Sequence, residues 1–289
     1  MLMFRLLDPI RPRLAARKQW FVRTSSHLSN NMGQGSEMMR YGLSVALAAV
    51  LVLAPGAGSQ AAEVKVMATG ALSGAFKEIV PQFERASGHK LSVRYAASPV
   101  VIKQIESGET FDVAIAVSGP MNDAAKQGFF GVGERPTVSS VGLGAAVRAG
   151  APKPDISSAE AFKRALVNAT SVAILPESVN GQHFINVFER IGIGEEMKAK
   201  IRPQKEPPQV AEAVAKGEAE LALLVSNLLI GIPGVDYAGM VPAEFQQTLV
   251  FTAAVGAKAK EPEAASAFIK HLRSPAAVAI IKAYGMETP

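Results

Sequence analysis

The chain has no cysteine among its 289 residues, which excludes disulfide bonds, thiolate nucleophiles and cysteine-ligated metal sites. Histidine is also scarce. No two of the four histidines stand at the spacing of a metal-ligand pair; they are His27, His89, His183 and His271. A P-loop and a G-x-S-x-G nucleophile elbow are absent as well, and Gly142-Leu143-Gly144 lacks the third glycine of a dinucleotide fingerprint. We therefore expect no metal and no other cofactor.

An excess of charge is missing from the body of the chain. The formal net charge is +5, but the first 61 residues hold seven basic and two acidic residues, which leaves 23 of each in residues 62–289. The high pI therefore belongs to the N-terminal segment. Since the body has no basic surplus to attract phosphates, we expect no nucleic-acid partner.

The N-terminal segment has the pattern of an export signal. Arg40 precedes an apolar run at 42–54 (GLSVALAAVLVLA), and Ser59-Gln60-Ala61 offers small residues for cleavage. This run is short for a bilayer span but has the length of a signal core. We predict a leader at residues 1–61, of which the first 37 are doubtful upstream sequence, with cleavage near 61/62 and a periplasmic mature protein. The alternative, a buried core helix, is disfavoured by the Pro55-Gly56 break.

Strand-like and helix-like segments alternate through residues 62–289. Alternating apolar residues predict strands at 64–68, 90–95, 112–117, 172–175, 220–225 and 246–256, with an extended segment at 139–148. Helical spacing and caps predict helices after Thr69-Gly70, from Ser98, from Ser118, and at 159–167, 181–191, 207–216, 262–272 and 275–284. This rhythm predicts an α/β protein with parallel sheets. We expect one lobe from residues 62–138 and 245–289 and another from 139–244.

Four predicted helix starts are rich in small polar residues. They are Thr69–Ser73, Ala96–Pro99, Ser178–His183 and Pro207–Val210. A helix start carries unpaired N–H groups and a partial positive charge, which suit an anion. Ligands of open parallel sheets bind beyond the carboxyl ends of the strands, where these turns fall. Each turn alone is better explained as an ordinary cap, but together they predict an anion site in a cleft between the lobes.

From Glu63 to its end, the chain resembles the periplasmic molybdate-binding proteins and the wider type II bacterial solute-binding proteins. The resemblance is carried by VMATGALSGAFKEIVPQFERASG, YAASPVVIKQIESGETFDVAIAVS, VGLGAAVRAGAPKPDI and FIKHLRSPAAVAIIKAYGME. It implies a two-lobed type II periplasmic binding protein fold, with parallel or mixed sheets, helices on both faces and a central cleft. It also implies a monomer that delivers a small anionic ligand to an ABC permease in the inner membrane.

The resemblance also implies where the ligand binds. The candidate ligand-binding residues are Thr69, Gly70, Ala71, Ser73, Ser98, Asn180, Gly181, Gln182, His183 and Val210. Ala71 stands where the family's first serine ligand falls, and Val225 where its tyrosine falls, so neither side chain donates a hydrogen bond. Molybdate or tungstate thus becomes one alternative beside other oxyanions and organic carboxylates. Gln182 and His183 have long polar side chains, which favours an elongated organic acid as the ligand. Arg94 or Arg148 would then bind a carboxylate of that ligand; the alternative is that both arginines are surface residues.

Two other functions remain open. AVRAGAPKPDI and the PGVD…P-x-E-x-Q pattern resemble an orphan branch of the family that includes aconitate isomerase. That resemblance implies an enzyme that shifts a proton in an unsaturated tricarboxylate, with His183 as its base or Glu177 in its place. The alternative for His183 is a packing role in the cleft. An extracytoplasmic sensor would share the same fold.

Overall fold

Residues 61–289 build two mixed β-sheets, each of five strands. The computed structural model describes residues 61–289, so the predicted leader lies outside the described residues except for Ala61. The strands are β1 (Glu63–Thr69), β2 (Lys90–Ala96), β3 (Val113–Val117), β4 (Thr137–Val141), β5 (Leu143–Arg148), β6 (Val172–Ile174), β7 (Ile201–Pro203), β8 (Leu221–Val225), β9 (Val235–Met240) and β10 (Leu249–Val255). The helices are α1 (Ser73–Ser87), α2 (Ser98–Glu106), α3 (Ser118–Lys126), α4 (Ala159–Asn168), α5 (Val179–Arg190), α6 (Gly194–Lys200), α7 (Pro207–Ala215), α8 (Pro262–Leu272) and α9 (Pro275–Ala283).

The first sheet has the order β2-β1-β3-β10-β4. Strands β1, β2 and β3 are parallel, whereas β10 runs antiparallel to β3 and β4. Apolar residues of α1, α8 and α9 cover one face, and those of α2 and α3 cover the other. We call this sheet and its five helices the first lobe.

The second sheet has the order β7-β6-β8-β5-β9 and packs with helices α4 to α7. We call this assembly the second lobe. Strand β6 is parallel to β7 and β8, and β5 is antiparallel to β8 and β9. Strand β9 is absent from the predicted strands; Gly239 (φ 143°) and a register shift at Ala145/Ala146 make it irregular.

The predicted α/β architecture with two lobes and mixed sheets is confirmed. Strand β10 returns to the first sheet after β9 of the second. The predicted lobe limits at 138/139 and 244/245 stay a prediction. Within residues 61–289, no helix combines the length and the apolar character needed to cross a bilayer.

The two connections between the lobes meet at one side chain. The predicted extended segment at 139–148 divides at Gly142 into β4 of the first lobe and β5 of the second. Gln246 lies in the other connection, which runs from β9 to β10. Its Oε1 accepts a hydrogen bond from the Leu143 N–H (2.6 Å), and its Nε2 donates to the Leu143 carbonyl (3.0 Å) and the Val241 carbonyl (3.1 Å). A Cβ at Gly142 would lie 3.2 Å from Gln246 Oε1, so glycine leaves room for the Gln246 side chain and its hydrogen bonds. The Gly142-Leu143-Gly144 motif is thus structural.

Gln246→Ala should lower the free energy of unfolding by about 1–3 kcal/mol, because it leaves the buried Leu143 N–H without its partner. Urea denaturation followed by circular dichroism measures this change. Gln127→Ala is the matched control, since the exposed Gln127 contacts only the exposed Glu106, and it should change stability by less than about 0.5 kcal/mol. Equal stability of the two variants would show that the Gln246 hydrogen bonds do not stabilise the fold.

Candidate functional site

A small cavity, partly open to solvent, lies between the two lobes. Its volume is about 30 Å³, against about 150 Å³ for a cavity that binds benzene. Residues from all four predicted helix starts line it, together with strand ends of both sheets; the lining residues are Thr69, Ala71, Ala97, Ser98, Val117, Leu175, Ser178, Val179, Asn180, Pro207, Leu224, Val225, Leu228, Leu249 and Phe251. The structure therefore brings the four turns to one place.

The first lobe contributes two hydroxyl groups. Thr69 ends β1 and caps a short 3₁₀ helix (Gly70–Leu72), where its Oγ1 accepts a weak bond from the Ala71 N–H at 3.5 Å. Ser98 begins α2, and Pro99 supplies a φ angle suited to a first helical turn. The Ser98 Oγ accepts a bond from the Val117 N–H at 3.1 Å. Both hydroxyl groups are buried, and each retains its hydrogen for donation to a ligand.

The second lobe contributes an amide group. Ser178 caps α5 by accepting the Gly181 N–H at 2.9 Å, and its hydroxyl lies 2.7 Å from the Leu175 carbonyl and 2.8 Å from Asn180 Oδ1. Asn180 is only 5% exposed, and its Nδ2 is buried without a partner. Gly181 has a packing role, because a Cβ there would overlap the Leu175 carbonyl. A buried amide donor without a partner is costly, which makes Asn180 a strong candidate for ligand contact.

The fourth turn closes the cavity and supplies few donors. Helix α7 begins with Pro207 and Pro208, which have no N–H groups, and the next N–H, of Gln209, bonds to the Glu206 carbonyl at 3.1 Å. Pro207 instead packs on Gly70, where an added Cβ would lie 2.8 Å from the Pro207 Cγ. The prediction that this turn presents amide donors as the others do therefore fails at its two prolines.

A hydrogen bond joins the lobes at the same edge of the cavity. Asn227, in the 3₁₀ turn after β8 (Ser226–Leu228), donates from Nδ2 to the Ala71 carbonyl at 2.8 Å. The sequence reasoning missed Asn227. The rule that ligand-binding turns follow the carboxyl ends of strands would have found it, since β8 ends at Val225.

Several candidates lie away from the cavity. The Gln182 side chain is exposed and donates to the Pro176 carbonyl at 2.7 Å. The His183 Nε2 lies 2.7 Å from the Phe245 carbonyl, which occupies it as a donor. Glu177 is exposed. Ser73 and Val210 lie in the first turns of α1 and α7 and, like Gly70 and Gly181, are not among the lining residues.

No charged side chain of the described residues lines the cavity. Arg94 is exposed and pairs with Glu109, and Arg148 is exposed at the end of β5. Groups with altered acidity also lie elsewhere: burial raises the pKa of Tyr95 to about 12 and lowers the pKa of His271. The site can therefore hold an anion by neutral hydrogen-bond donors and helix ends, without a counter-charge. Residues 61–289 contain no cluster of His, Asp and Glu arranged to hold a metal ion.

A larger concavity of about 1140 Å³ lies on the first lobe, where α8 meets the segment before β4. Arg135, Lys270 and Arg273 are among its lining residues, and none of the four predicted turns reaches it. Its larger volume and its place on one lobe distinguish it from the cavity between the lobes.

Gly70→Val should hold the lobes apart, because even its Cβ would approach the Pro207 ring more closely than the roughly 3.5–4.0 Å of ordinary carbon contacts. Small-angle X-ray scattering should give a larger radius of gyration for this variant than for the unmodified protein. Gly119→Val is the control, since an added Cβ there meets nothing within 4 Å. An unchanged radius for Gly70→Val would contradict the contact.

Comparison with known proteins places this fold and cavity in context. The family model described as "bacterial extracellular solute-binding protein" matches residues 64–287. An aconitate isomerase of a Pseudomonas species is 31% identical over 77% of this chain and 86% of its own length. A molybdate-binding protein of Azotobacter vinelandii is 28% identical over 81% of this chain and 96% of its own.

Solved structures agree on the fold. The structure titled as the periplasmic molybdate-binding protein of Azotobacter vinelandii superposes with a TM-score of 0.67 at 24% identity, covering 78% of this chain and 99% of that one. Since the family model spans far more than half of the chain, the chain belongs to the bacterial extracellular solute-binding protein family.

Proposed function

We propose that the protein is a periplasmic receptor that encloses one small anion between its lobes and delivers it to an ABC-type importer in the inner membrane. The observation that carries this proposal is the buried, unpartnered Asn180 Nδ2, which lies in the wall of the interlobe cavity with Ser98 and Thr69. A buried amide donor without a partner is explained if a ligand oxygen accepts a hydrogen bond from it.

The energetics of the site suit an anion. Helices α2 and α5 begin at the cavity, and each helix start carries a partial charge of about +0.5. Hydrogen bonds to a charged acceptor contribute about 1.5–3 kcal/mol each. Two hydroxyl groups and one amide would therefore supply several kcal/mol.

The cellular setting follows from the family and the predicted leader. Export by the signal at residues 1–61 would place a mature chain starting at Ala62 in the periplasm. The two sequence relatives are an aconitate isomerase and a molybdate-binding protein, and the structural neighbour is a periplasmic molybdate-binding protein. We propose that the protein acts as a monomer, since the cavity is complete within one chain.

A second candidate is an aconitate-isomerase-like enzyme, favoured by the 31% identity to the Pseudomonas isomerase. Moving a proton between carbons requires a base close to the substrate. No titratable side chain of the described residues lines the interlobe cavity, and the His183 Nε2 is engaged by the Phe245 carbonyl. The small volume also favours a compact anion over a tricarboxylate. We therefore prefer the receptor function to the isomerase function.

A thermal-shift screen tests the receptor. It should include molybdate, tungstate, sulfate, nitrate, perchlorate, acetate, citrate and both aconitates, since a ligand at about 100 times its Kd stabilises by about 2.7 kcal/mol. We expect at least one small anion to raise the Tm, and Ser98→Ala to reduce its affinity about tenfold or more through loss of one charge-assisted bond. Ser92→Ala, exposed on β2, is the control and should bind normally. The absence of any shift across the panel would reject the receptor.

An isomerase assay distinguishes the second candidate function, the enzyme, from the receptor. Proton NMR of cis-aconitate mixed with the protein should show no trans-aconitate above the uncatalysed background if the protein is only a receptor. Catalysed interconversion that disappears in His183→Ala but persists in His89→Ala would establish the enzyme instead; His89 lies in the first lobe beside Ala62.

A further inference from the structure

The hydrogen bond between Asn227 and Ala71 crosses from one lobe to the other. Asn227 lies in the 3₁₀ turn that follows β8 of the second lobe, and Ala71 lies in the 3₁₀ turn that follows β1 of the first. The Asn227 Nδ2 donates to the Ala71 carbonyl at 2.8 Å. Since the two groups belong to different lobes, this bond exists only while the lobes touch.

The chemistry of the two groups fixes the direction of this bond. A carbonyl oxygen can only accept a hydrogen bond, so the Asn227 amide must present Nδ2 to it and not Oδ1. The Asn227 Oδ1 is buried and has no partner among residues 61–289. An acceptor that loses water without a replacement costs free energy, which offsets part of what the Nδ2 bond contributes. The asparagine therefore favours contact between the lobes without locking them together.

A second segment of the first lobe packs against the same asparagine. Gly285, in the turn after α9, has a φ of 74°, and a Cβ added there would lie 3.7 Å from the Asn227 Cβ and 3.9 Å from the Ile230 Cδ1. Asn227 thus contacts the first lobe at Ala71 and again at Gly285. These two contacts place it in the interface between the lobes.

The cross-lobe bond adjoins the wall of the interlobe cavity. Ala71 lines the cavity from the first lobe, and Leu228, the residue after Asn227, lines it from the second. Asn227 itself is not among the lining residues. It can therefore act on a ligand only through the position of the lobes. A ligand held between two lobes leaves when they part, so a bond that opposes their parting slows its release.

We propose that Asn227 is a latch, whose bond to the Ala71 carbonyl holds the lobes together over the cavity and thereby opposes ligand release. In this role it is a positioning residue and makes no contact with the ligand. The inference rests on the proposed receptor function and adds a residue that controls how long the ligand is retained. One hydrogen bond of ordinary net strength corresponds to a factor of roughly three to ten in the equilibrium between touching and parted lobes.

Spin labels on the two lobes measure this equilibrium. The chain has no cysteine, so Lys77→Cys and Lys205→Cys create the only two labelling sites. Both lysines are exposed; Lys77 lies on α1, and Lys205 lies just before α7. Double electron–electron resonance then gives the ratio of short to long distances between the labels, without anion and with molybdate added. We expect Asn227→Ala to lower this ratio roughly three- to tenfold in at least one of the two conditions.

Ligand retention is measured with the anion that most raises the Tm in the thermal-shift panel. We expect Asn227→Ala to bind this anion about three- to tenfold more weakly, because the fraction of protein with touching lobes falls. The loss should arise from faster dissociation, with little change in the association rate, since the anion enters while the lobes are parted. A loss that arose only from slower association would contradict the latch.

Matched variants separate the latch from a general effect on folding. Asn122→Ala, exposed on α3, should leave both the distance ratio and the affinity unchanged. Asn227→Asp has nearly the shape of asparagine but no donor for the Ala71 carbonyl, so it should lower the distance ratio as Asn227→Ala does. Circular dichroism checks that each variant folds.

The outcomes distinguish the latch from the receptor function. Distance distributions that are identical in the unmodified protein and in both Asn227 variants would overturn the latch, and so would an equal change in Asn122→Ala. A lower distance ratio in a protein that binds no anion of the panel would support the role of Asn227 in lobe contact and refute the receptor function.

Discussion

The contact between Gly70 and Pro207 is the interaction on which the site depends. It brings the end of β1 against the start of α7 and encloses the cavity, and the bond from Asn227 to the Ala71 carbonyl holds the same edge. Only glycine permits this approach, since a Cβ would lie 2.8 Å from the proline ring. A cavity shared between lobes exists only while the lobes touch, so the proposed ligand capture would depend on this contact.

The two connections between the lobes share one side chain. Gln246 binds both crossing segments through its side-chain amide, at Leu143 on one and Val241 on the other. The lobes are thereby tied at their connections, and they touch again beside Gly70. A ligand bound as proposed, with an oxygen that accepts from Asn180 Nδ2, would add a third tie and favour the form in which the lobes touch.

The sequence predicts the architecture well because strand–helix alternation and helix caps are local signals. Apolar periodicity finds β1, β3 and β8, and the turns after β1, β2 and β6 predict the cavity's position. The sequence does not predict side-chain direction: Gln182 and His183 share a helix start with Asn180, yet each bonds to a nearby carbonyl instead. The sequence also does not predict hydrogen bonds between distant positions, such as the one from Asn227 to Ala71, which are 156 positions apart.

A crystal structure of the protein grown with its tightest-binding anion tests the central claim most directly. We expect the anion between the lobes, with its oxygens within hydrogen-bond distance of Ser98 Oγ and Asn180 Nδ2 and with no lysine or arginine in contact. An anion bound only on the outer surface, with water alone between Ser98 and Asn180, would contradict the account.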